Sequence, residues 1–486
     1  MVLMVVNAFL LYGRSLSYPF VYDDLWRIVN NESINRIGNP ARFFTDINTQ
    51  SSIPGLNRDN YRPLVPLSFA LDHALFGNNP AGYRAENILL HGVNGALVSY
   101  LGMEILSLSP PAALLAGLIF INHPVQIESV AWVAERTNVL GILFLLLTLL
   151  FWVNFQKGGG RKSALGAHLF LCASLLTREI AVVVPLYILF IDFLKKFQKR
   201  WPHYCLAAGE VTAFLAVRYF VLGQVKISPF KGGTIFSNLA NVVQMWPGYW
   251  RVVLFPSRLR ITYSDIEPAT HLLTGKAVVG AFCLLIFFVF LFYGIKRARN
   301  WGLALGTIFF FWLPGSNLIP LTTMFGERLL YPMMAGFGWM GGLLYERLGW
   351  SRSKDVWLRR AFSILLITLL AGLSWVQLPV WRSELSLWEN AVQQAPRAWF
   401  AWACYGQMLQ AEAKKRVGRN PSEEMIWWKG SALALEEAFK NGPPRESAGQ
   451  LLVMLAKSKY QLGEKAEASK LLQKASRLNP APVQKK

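Results

Sequence analysis

Charge is sparse in this chain. Only 16% of its 486 residues are Asp, Glu, Lys or Arg. Three stretches, Gly141–Val153, Ala277–Tyr293 and Ala361–Leu373, hold none at all. Apolar runs of roughly 18 to 20 residues read as bilayer-spanning helices. Cysteine is scarce too. Of Cys172, Cys205, Cys283 and Cys404, the first three lie in apolar stretches, and no CxxC or metal-ligand spacing occurs. This argues against a disulfide framework and leaves them as small packing residues. Acids are outnumbered, 28 against 49 Lys and Arg, for a net charge of +21. In a soluble protein that excess would suggest nucleic acid. Beside so many apolar runs it reads as topogenic charge and attraction to anionic lipid, and nucleic acid is not expected as a partner. A P-loop, a dinucleotide glycine fingerprint, a zinc motif and a nucleophile elbow are all missing. Nucleotide-dependent chemistry is therefore disfavoured, which leaves a lipid-carried donor. Met1–Tyr12 lacks a basic leader and a small-residue cleavage site, so it reads as a first span, short or begun late, rather than a removed signal.

What is present is hydrophobic length. Apolar stretches at 1–12, 83–107, 110–122, 137–156, 163–177, 180–194, 201–222, 272–294, 301–319, 329–346 and 361–379 predict an all-α, polytopic membrane bundle of about eleven spans. The 18 Trp residues suit the two membrane interfaces. Lys157, Arg161 and Lys162 form one basic cluster. Lys195, Lys196, Lys199 and Arg200 form a second, and Lys296, Arg297 and Arg299 a third. Arg347, Arg352, Lys354, Arg359 and Arg360 form a fourth. With the N-terminus cytoplasmic all four fall inside, as the positive-inside rule requires. Loop 13–82, loop 123–136, the turn at Thr177–Glu179, loop 223–271, the turn Leu321–Arg328 and residues 380–486 then lie outside. Pro63–Phe76, apolar on one side with Asp72 and His73 on the other, is expected to lie on the outer membrane surface. Asn238–Pro256 is expected to behave similarly or to be re-entrant.

After Pro379 charge rises and the apolar runs break up. Counting back from Pro480, the positions Leu452, Leu455, Ala456, Gly463, Ala468, Leu472 and Ala475 follow tetratricopeptide spacing. A degenerate earlier unit surrounds Trp402, Tyr405, Gly406, Leu409 and Ala438. Residues 1–379 are thus expected to form the membrane domain and 380–486 a helical-repeat domain. That repeat domain serves either as a docking surface or as a plain helical array.

Ionisable groups at membrane level are expensive, and each asks for a role. Asp23 and Asp24, just past the first span, could act as a base if burial raises their pKa; a helix cap or solvated pair explains them as well. In His123-Pro124-Val125-Gln126-Ile127-Glu128-Ser129-Val130-Ala131-Trp132-Val133-Ala134-Glu135-Arg136, the residues Glu128, Trp132 and Arg136 stand four apart. On one helix they would share a face. Arg178 and Glu179 sit between two apolar segments, as an ion pair or an anion site. Glu327 and Arg328 sit at another boundary, where Arg suits phosphate and interfacial snorkelling is the plain alternative. Arg62 precedes Pro63, while Asn87 and His91 read as a helix-packing pair. Under this topology all of these face one side, as an enzyme gripping a lipid phosphate and activating a hydroxyl would need.

FVYDD at 20–24, YRPL at 61–64, GYRAENILLH at 82–91, HPVQIESVAWVAERTNVL at 123–140, TREIAVVVPL at 177–186 and GERLLYPMMAGFG at 326–338 carry a resemblance. In that order, and with the repeat tail, the chain resembles the transmembrane and tetratricopeptide repeat-containing O-mannosyltransferases and their bacterial relatives, within the GT-C superfamily. The resemblance implies an inverting transfer of a sugar, mannose in the family, from a polyprenyl-phosphate carrier to a hydroxyl of a protein or glycan. The transfer would take place outside the bacterial plasma membrane. It implies Asp23 or Asp24 as the base and Arg136, Arg178 and Arg328 as holders of the lipid phosphate. Glu128 would orient an Arg or a sugar hydroxyl, with Arg62, His123, Trp132, Glu179 and Glu327 around the substrate. No cofactor is implied with certainty; adjacent carboxylates could hold Mg or Mn, but their spacing is not diagnostic. Three departures stand out. Arg178 replaces the family's usual Lys. Thr262-Tyr263-Ser264 replaces an Asp-aromatic-Ser element, losing an acid unless Asp265 supplies it. The tail has far fewer repeats. A polysaccharide ligase, a flippase or transporter and a non-enzymatic assembly scaffold are the rival readings.

Overall fold

The computed structural model describes residues 1–35, 38–53, 60–223, 228–347 and 353–478. Arg352 of the fourth basic cluster and Pro480 of the repeat spacing lie outside them. Among the described residues the secondary structure is helical, with no strand. The chain divides into two compact units: 1–257 with 268–379, and 258–267 with 380–486.

The first unit runs α1 (Val2–Tyr12), α2 (Arg42–Thr45), α3 (Leu64–Phe76), α4 (Pro80–Leu106), α5 (Pro110–Asn122), α6 (Ile127–Ala131), α7 (Arg136–Gln156) and α8 (Gly160–Leu175). It continues α9 (Val184–Lys195), α10 (Trp201–Leu222), α11 (Ile235–Leu254), α12 (Gly275–Arg297), α13 (Arg299–Trp312), α14 (Met334–Arg347) and α15 (Ser353–Gln377). Every stretch read as a span contains a helix. Five are long and apolar enough to cross a bilayer: Pro80–Leu106, Val133–Gln156, Trp201–Leu222, Gly275–Arg297 and Val356–Arg382. The pair Pro110–Asn122 and Pro124–Ala131, bent by 52°, makes a sixth if taken as one broken span. The rest are shorter, from the 11 residues of α1 to the 16 of α8. At 1.5 Å per residue they fall short of a hydrocarbon layer of roughly 30 Å. The chain is a multi-pass membrane protein.

Packing within the unit relies on small residues, because lipid offers no hydrophobic drive to bring helices together. Gly338 and Gly342 of α14 stand four apart, and so do Ala112 and Ala116 of α5. A Cβ on Gly338 would lie 2.5 Å from the Ala116 carbonyl oxygen, and one on Gly342 would lie 2.8 Å from that of Ala112. The two backbones therefore touch.

The basic turns meet at one end of this unit. Lys157 pairs with Glu104, Gln156 donates to the Gln198 carbonyl at 3.1 Å, Asn300 to that of Leu106 at 2.6 Å, and the Ser109 N–H to Glu346 at 2.6 Å. Helix α4 carries 27 residues, about 40 Å of rise. Its first turn, at Arg84, therefore stands far from this basic end.

The second unit stacks α16 (Glu384–Gln394), α17 (Trp399–Arg416), α18 (Pro421–Lys440), α19 (Arg445–Gln461) and α20 (Lys465–Leu478), each packed on the next. Its core holds Ala403, Ala432, Leu435, Ala438, Leu451 and Leu455. Gly406 lets α17 and α18 close up, since a Cβ there would meet Leu435 at 2.7 Å. Ser431 donates to the Gly406 carbonyl at 2.9 Å. Asp265 is paired with Arg260 at 2.9 Å inside this unit.

Gly338→Leu should force α5 and α14 apart and cost roughly 1–3 kcal/mol. Thermal unfolding of the purified protein in detergent would show a lower midpoint. Gly372→Leu, on an exposed face of α15 with nothing within 4 Å of its Cβ, should leave the midpoint unchanged.

Candidate active site

The site is built around a broken helix. The sequence places 123–136 in an outer loop, in which Glu128, Trp132 and Arg136 would share a face if the segment were one helix. In the structure α6 stops at Ala131, Trp132 is extended (φ −84, ψ 113), and a 3-10 turn covers Val133–Glu135 before α7 begins at Arg136. The shared face does not exist. The break leaves backbone groups without helical partners, and buried carbonyls must be satisfied.

Helix α4 satisfies them. Arg84, Asn87, His91 and Asn94 are all fully buried and lie on one helical stripe. Arg84 donates through Nε to the Ala131 carbonyl at 3.0 Å and through its terminal nitrogens to the carbonyls of Tyr18 and Pro19. Asn87 reaches the Val133 carbonyl at 3.5 Å and Asn94 that of Val139 at 2.8 Å. His91 Nε2 donates to the Ile121 carbonyl at 3.2 Å, so its Nδ1 accepts from the Tyr331 hydroxyl at 2.9 Å. Sequence reasoning passed over Arg84. Its signal was an arginine at the start of a mostly apolar stretch, within the GYRAENILLH motif at 82–91.

Asp23 and Asp24 part company here. Tyr22 adopts φ 53, a left-handed conformation uncommon for a bulky side chain, and its ring meets Trp26 edge-on and Trp132 at a tilt. Asp24 then points inward and is fully buried. It accepts from the Val21 N–H at 3.1 Å and the Ala134 N–H at 2.7 Å. Burial pushes its carboxyl up to about 7, against the opposing pull of Arg84 and these two N–H groups. Asp23 keeps part of its side chain exposed and faces Arg27 at 3.5 Å. Burial also raises its pKa, opposed by the positive charges of Arg27 and Arg328 and assisted by the negative charge of Glu135.

Around Asp23 gather guanidinium and carboxylate groups from distant segments. Glu128 accepts from Arg328 twice, from Nη1 at 2.7 Å and from the backbone N–H at 2.8 Å. Glu135, present in the motif but not singled out there, lies 3.7 Å from Arg328 Nε and 3.6 Å from Arg178 Nη1. It also accepts from Asn138 at 2.6 Å. Arg328 reaches Thr323 at 3.1 Å and lies over the Trp132 ring at 5.8 Å. Arg62 holds Glu179 at 2.9 Å through Nε and Nη2. The structure thus brings Asp23, Glu128, Trp132, Arg178 and Arg328 together, with the Arg62–Glu179 pair alongside, since Arg178 feels both charges. Glu327 is buried in the 3-10 turn beside Arg328.

Arg136 and His123 are employed otherwise. Arg136 is fully buried, with Asn87 at 2.8 Å, the Tyr83 carbonyl at 2.8 Å, Glu86 at 3.2 Å and Asp72 at 2.5 Å. Asp72, read as the solvent side of a surface helix, instead faces inward to this pair. His123 Nδ1 accepts from the Val125 N–H at 3.2 Å, and its Nε2 donates to the Val253 carbonyl at 2.8 Å. It stands at the edge of an apolar cavity of about 570 Å³, walled by Ile119, Trp250, Met334, Phe337 and Leu370 among others. Among the described residues no three His, Cys, Asp or Glu side chains are grouped to hold a metal ion.

Arg84→Met should strip three carbonyls of their donor and Asp24 of a nearby positive charge, and cost about 3 kcal/mol or more. The loss is measurable as a lower unfolding midpoint in detergent. Arg62→Met, which leaves only a partly exposed carboxylate, should cost less.

Residues 61–220 match the family described as dolichyl-phosphate-mannose-protein mannosyltransferase. Protein O-mannosyl-transferase TMTC1 of Homo sapiens is 35% identical over 181 residues, 36% of this chain and 20% of the relative. A protein O-mannosyl-transferase of Caenorhabditis elegans is 26% identical over 414 residues, 82% of this chain and 58% of the relative. The matches cover less than two thirds of either relative's length. The structure of ArnT from Cupriavidus metallidurans in the apo state aligns with a TM-score of 0.43 at 16% identity, over 94% of this chain and 80% of that one. Over residues 61–220, then, the chain is similar to the dolichyl-phosphate-mannose-protein mannosyltransferases.

Proposed function

We propose that the protein is an inverting glycosyltransferase that moves a sugar, mannose by its resemblance, from a polyprenyl phosphate to a hydroxyl on a protein. Its named relatives are protein O-mannosyl-transferases. The observation that carries the reading is the placement of Asp23: a partly exposed carboxylate beside an arginine cluster, while its neighbour Asp24 is locked into backbone. A base needs access to its proton donor, and a structural aspartate does not.

In this reading the acceptor oxygen attacks the anomeric carbon as its proton passes to the Asp23 carboxylate. The bond from that carbon to the phosphate oxygen breaks on the opposite face, and polyprenyl phosphate departs with the electron pair. Arg328 and Arg178 stabilise the charge growing on the leaving phosphate through their planar donors. Glu128 fixes Arg328 by accepting from both its guanidinium Nη1 and its backbone N–H. The apolar cavity beside His123 takes the first isoprene units, since Met334 on its wall lies six residues from Arg328 along the chain. The basic turns at the far end of α4 support a cytoplasmic placement for that end and an extracytoplasmic one for the site. The repeat unit is assigned to acceptor docking.

Asp23→Asn should lower transfer from polyprenyl-phosphate mannose about 10²- to 10⁴-fold with unchanged folding. Full activity in that variant would remove Asp23 as the base. The pH profile adds a second check. A base works only when deprotonated, and burial raises this carboxyl. Activity should therefore fall on acidification with a midpoint above the ordinary aspartate value of about 3.9. A midpoint at or below that value would contradict the assignment.

A further inference from the structure

A second cationic site lies at the basic end, far from the one just described. Helices α12 and α13 are joined by Ala298 alone, and the hairpin is held shut by backbone. A Cβ on Gly294 would lie 2.7 Å from the Gly302 nitrogen, and one on Gly302 would lie 2.8 Å from that of Ile295. The Ala298 N–H donates to the Gly294 carbonyl at 2.9 Å, and the Ala298 carbonyl accepts from Trp301 and Gly302 at 2.8 and 3.1 Å. Lys296, Arg297 and Arg299 are therefore presented from a rigid turn rather than a loose loop.

With Trp301, Glu346 and Arg347 they line a cavity of about 650 Å³. Arg347 lies over the Trp301 ring at 5.1 Å, so its stem and plane are oriented. The one carboxylate of the lining, Glu346, accepts from the Ser109 N–H at 2.6 Å. Four cations thus face one acid that already has a hydrogen bond, and among the described residues Lys296, Arg297 and Arg299 have no ion-pair partner. Such a concentration of positive charge at a fixed position favours a phosphate-bearing anion.

The neighbouring surface says which kind. Phe282, Leu285, Val289 and Tyr293 of α12 are 63%, 60%, 59% and 61% exposed. Their spacing of three, four and four residues makes one stripe, and three residues further along that stripe stands Lys296. An apolar face that long, on a membrane-spanning helix, meets hydrocarbon. It leads directly to the cationic cavity. We infer that this cavity binds the headgroup of an anionic phospholipid whose acyl chains lie along the α12 stripe. Free phosphate offers the charge but has nothing to place on the apolar face.

The test uses the full chain, purified in a neutral detergent and titrated with phosphatidylglycerol, phosphatidylcholine or inorganic phosphate. Bound lipid is counted by native mass spectrometry. The expected result is one phosphatidylglycerol retained at least tenfold more tightly than phosphatidylcholine. In Arg297→Gln/Arg299→Gln that preference should be lost. In Lys195→Gln/Lys199→Gln, which alters another basic turn, it should persist. Equal retention of the two lipids by the unsubstituted protein would overturn the inference without any variant. So would an equal loss in both variants, which would mark a general charge effect. Displacement of the lipid by millimolar inorganic phosphate would assign the cavity to free phosphate instead.

Discussion

A carbonyl oxygen buried at membrane depth without a donor costs several kcal/mol, and the architecture near the candidate site follows from avoiding that cost. The chain is interrupted between α6 and α7, where the carbonyls of Ala131 and Val133 lose their place in a helical ladder. Arg84 and Asn87 of α4 supply the missing donors. Because the same guanidinium also binds the carbonyls of Tyr18 and Pro19, the segment after α1 is pinned to the break. Asp24 adds a second tie by accepting from Ala134. The position of Asp23 is thus fixed largely by its neighbours, and its carboxylate is met directly by Arg27 at 3.5 Å.

That economy explains the division of labour among the charged groups. Arg84 and Arg136 have their donors spent on carbonyls, amides and buried acids, so each behaves as a strut. Arg328 is different. Glu128 takes one of its edges, while Glu135 stands at 3.7 Å, beyond a direct hydrogen bond, and lies similarly loose against Arg178. A guanidinium held on one edge and only loosely matched on another keeps charge available to an incoming anion. Burial and the saturation of donors separate the two kinds of arginine together: Arg84 and Arg136 are fully buried, and Arg328 is partly exposed.

Much of this was written into local patterns, and the exceptions have physical causes. Apolar runs located the helices because length against bilayer thickness is a property of the segment itself. The gathering of 20–24, 128–136, 178 and 328 was legible from their common position at span ends. The break at Trp132 was not. No Pro or Gly marks it, the residues around it, Val130 and Val133, are compatible with helix, and the donors of α4 and the Asp24 carboxylate, all distant in sequence, stabilise the interruption. The roles of Asp23 and Asp24 were open for the same reason: adjacent identical residues differ only in which one the backbone N–H groups of Val21 and Ala134 claim. Asp72 was misplaced because its partner, Arg136, lies 64 residues away.

The distance between the two charged regions of the membrane unit is then a matter of rigid rods. Helix α4 begins at Pro80, enters the site with Arg84 and ends at Leu106, whose carbonyl accepts from Asn300 in the basic turns. Helix α7 begins at Arg136 and ends at Gln156, beside the Gln198 carbonyl. Two helices of 27 and 21 residues set these regions about 30–40 Å apart, close to the thickness of a bilayer. Neither helix can be shortened by a change of loop conformation. Any tilt that carried the basic turns toward one leaflet would carry Asp23, Arg178 and Arg328 toward the other. The separation of topogenic charge from site charge is therefore a mechanical property of α4 and α7, and it holds whichever leaflet faces the cytoplasm.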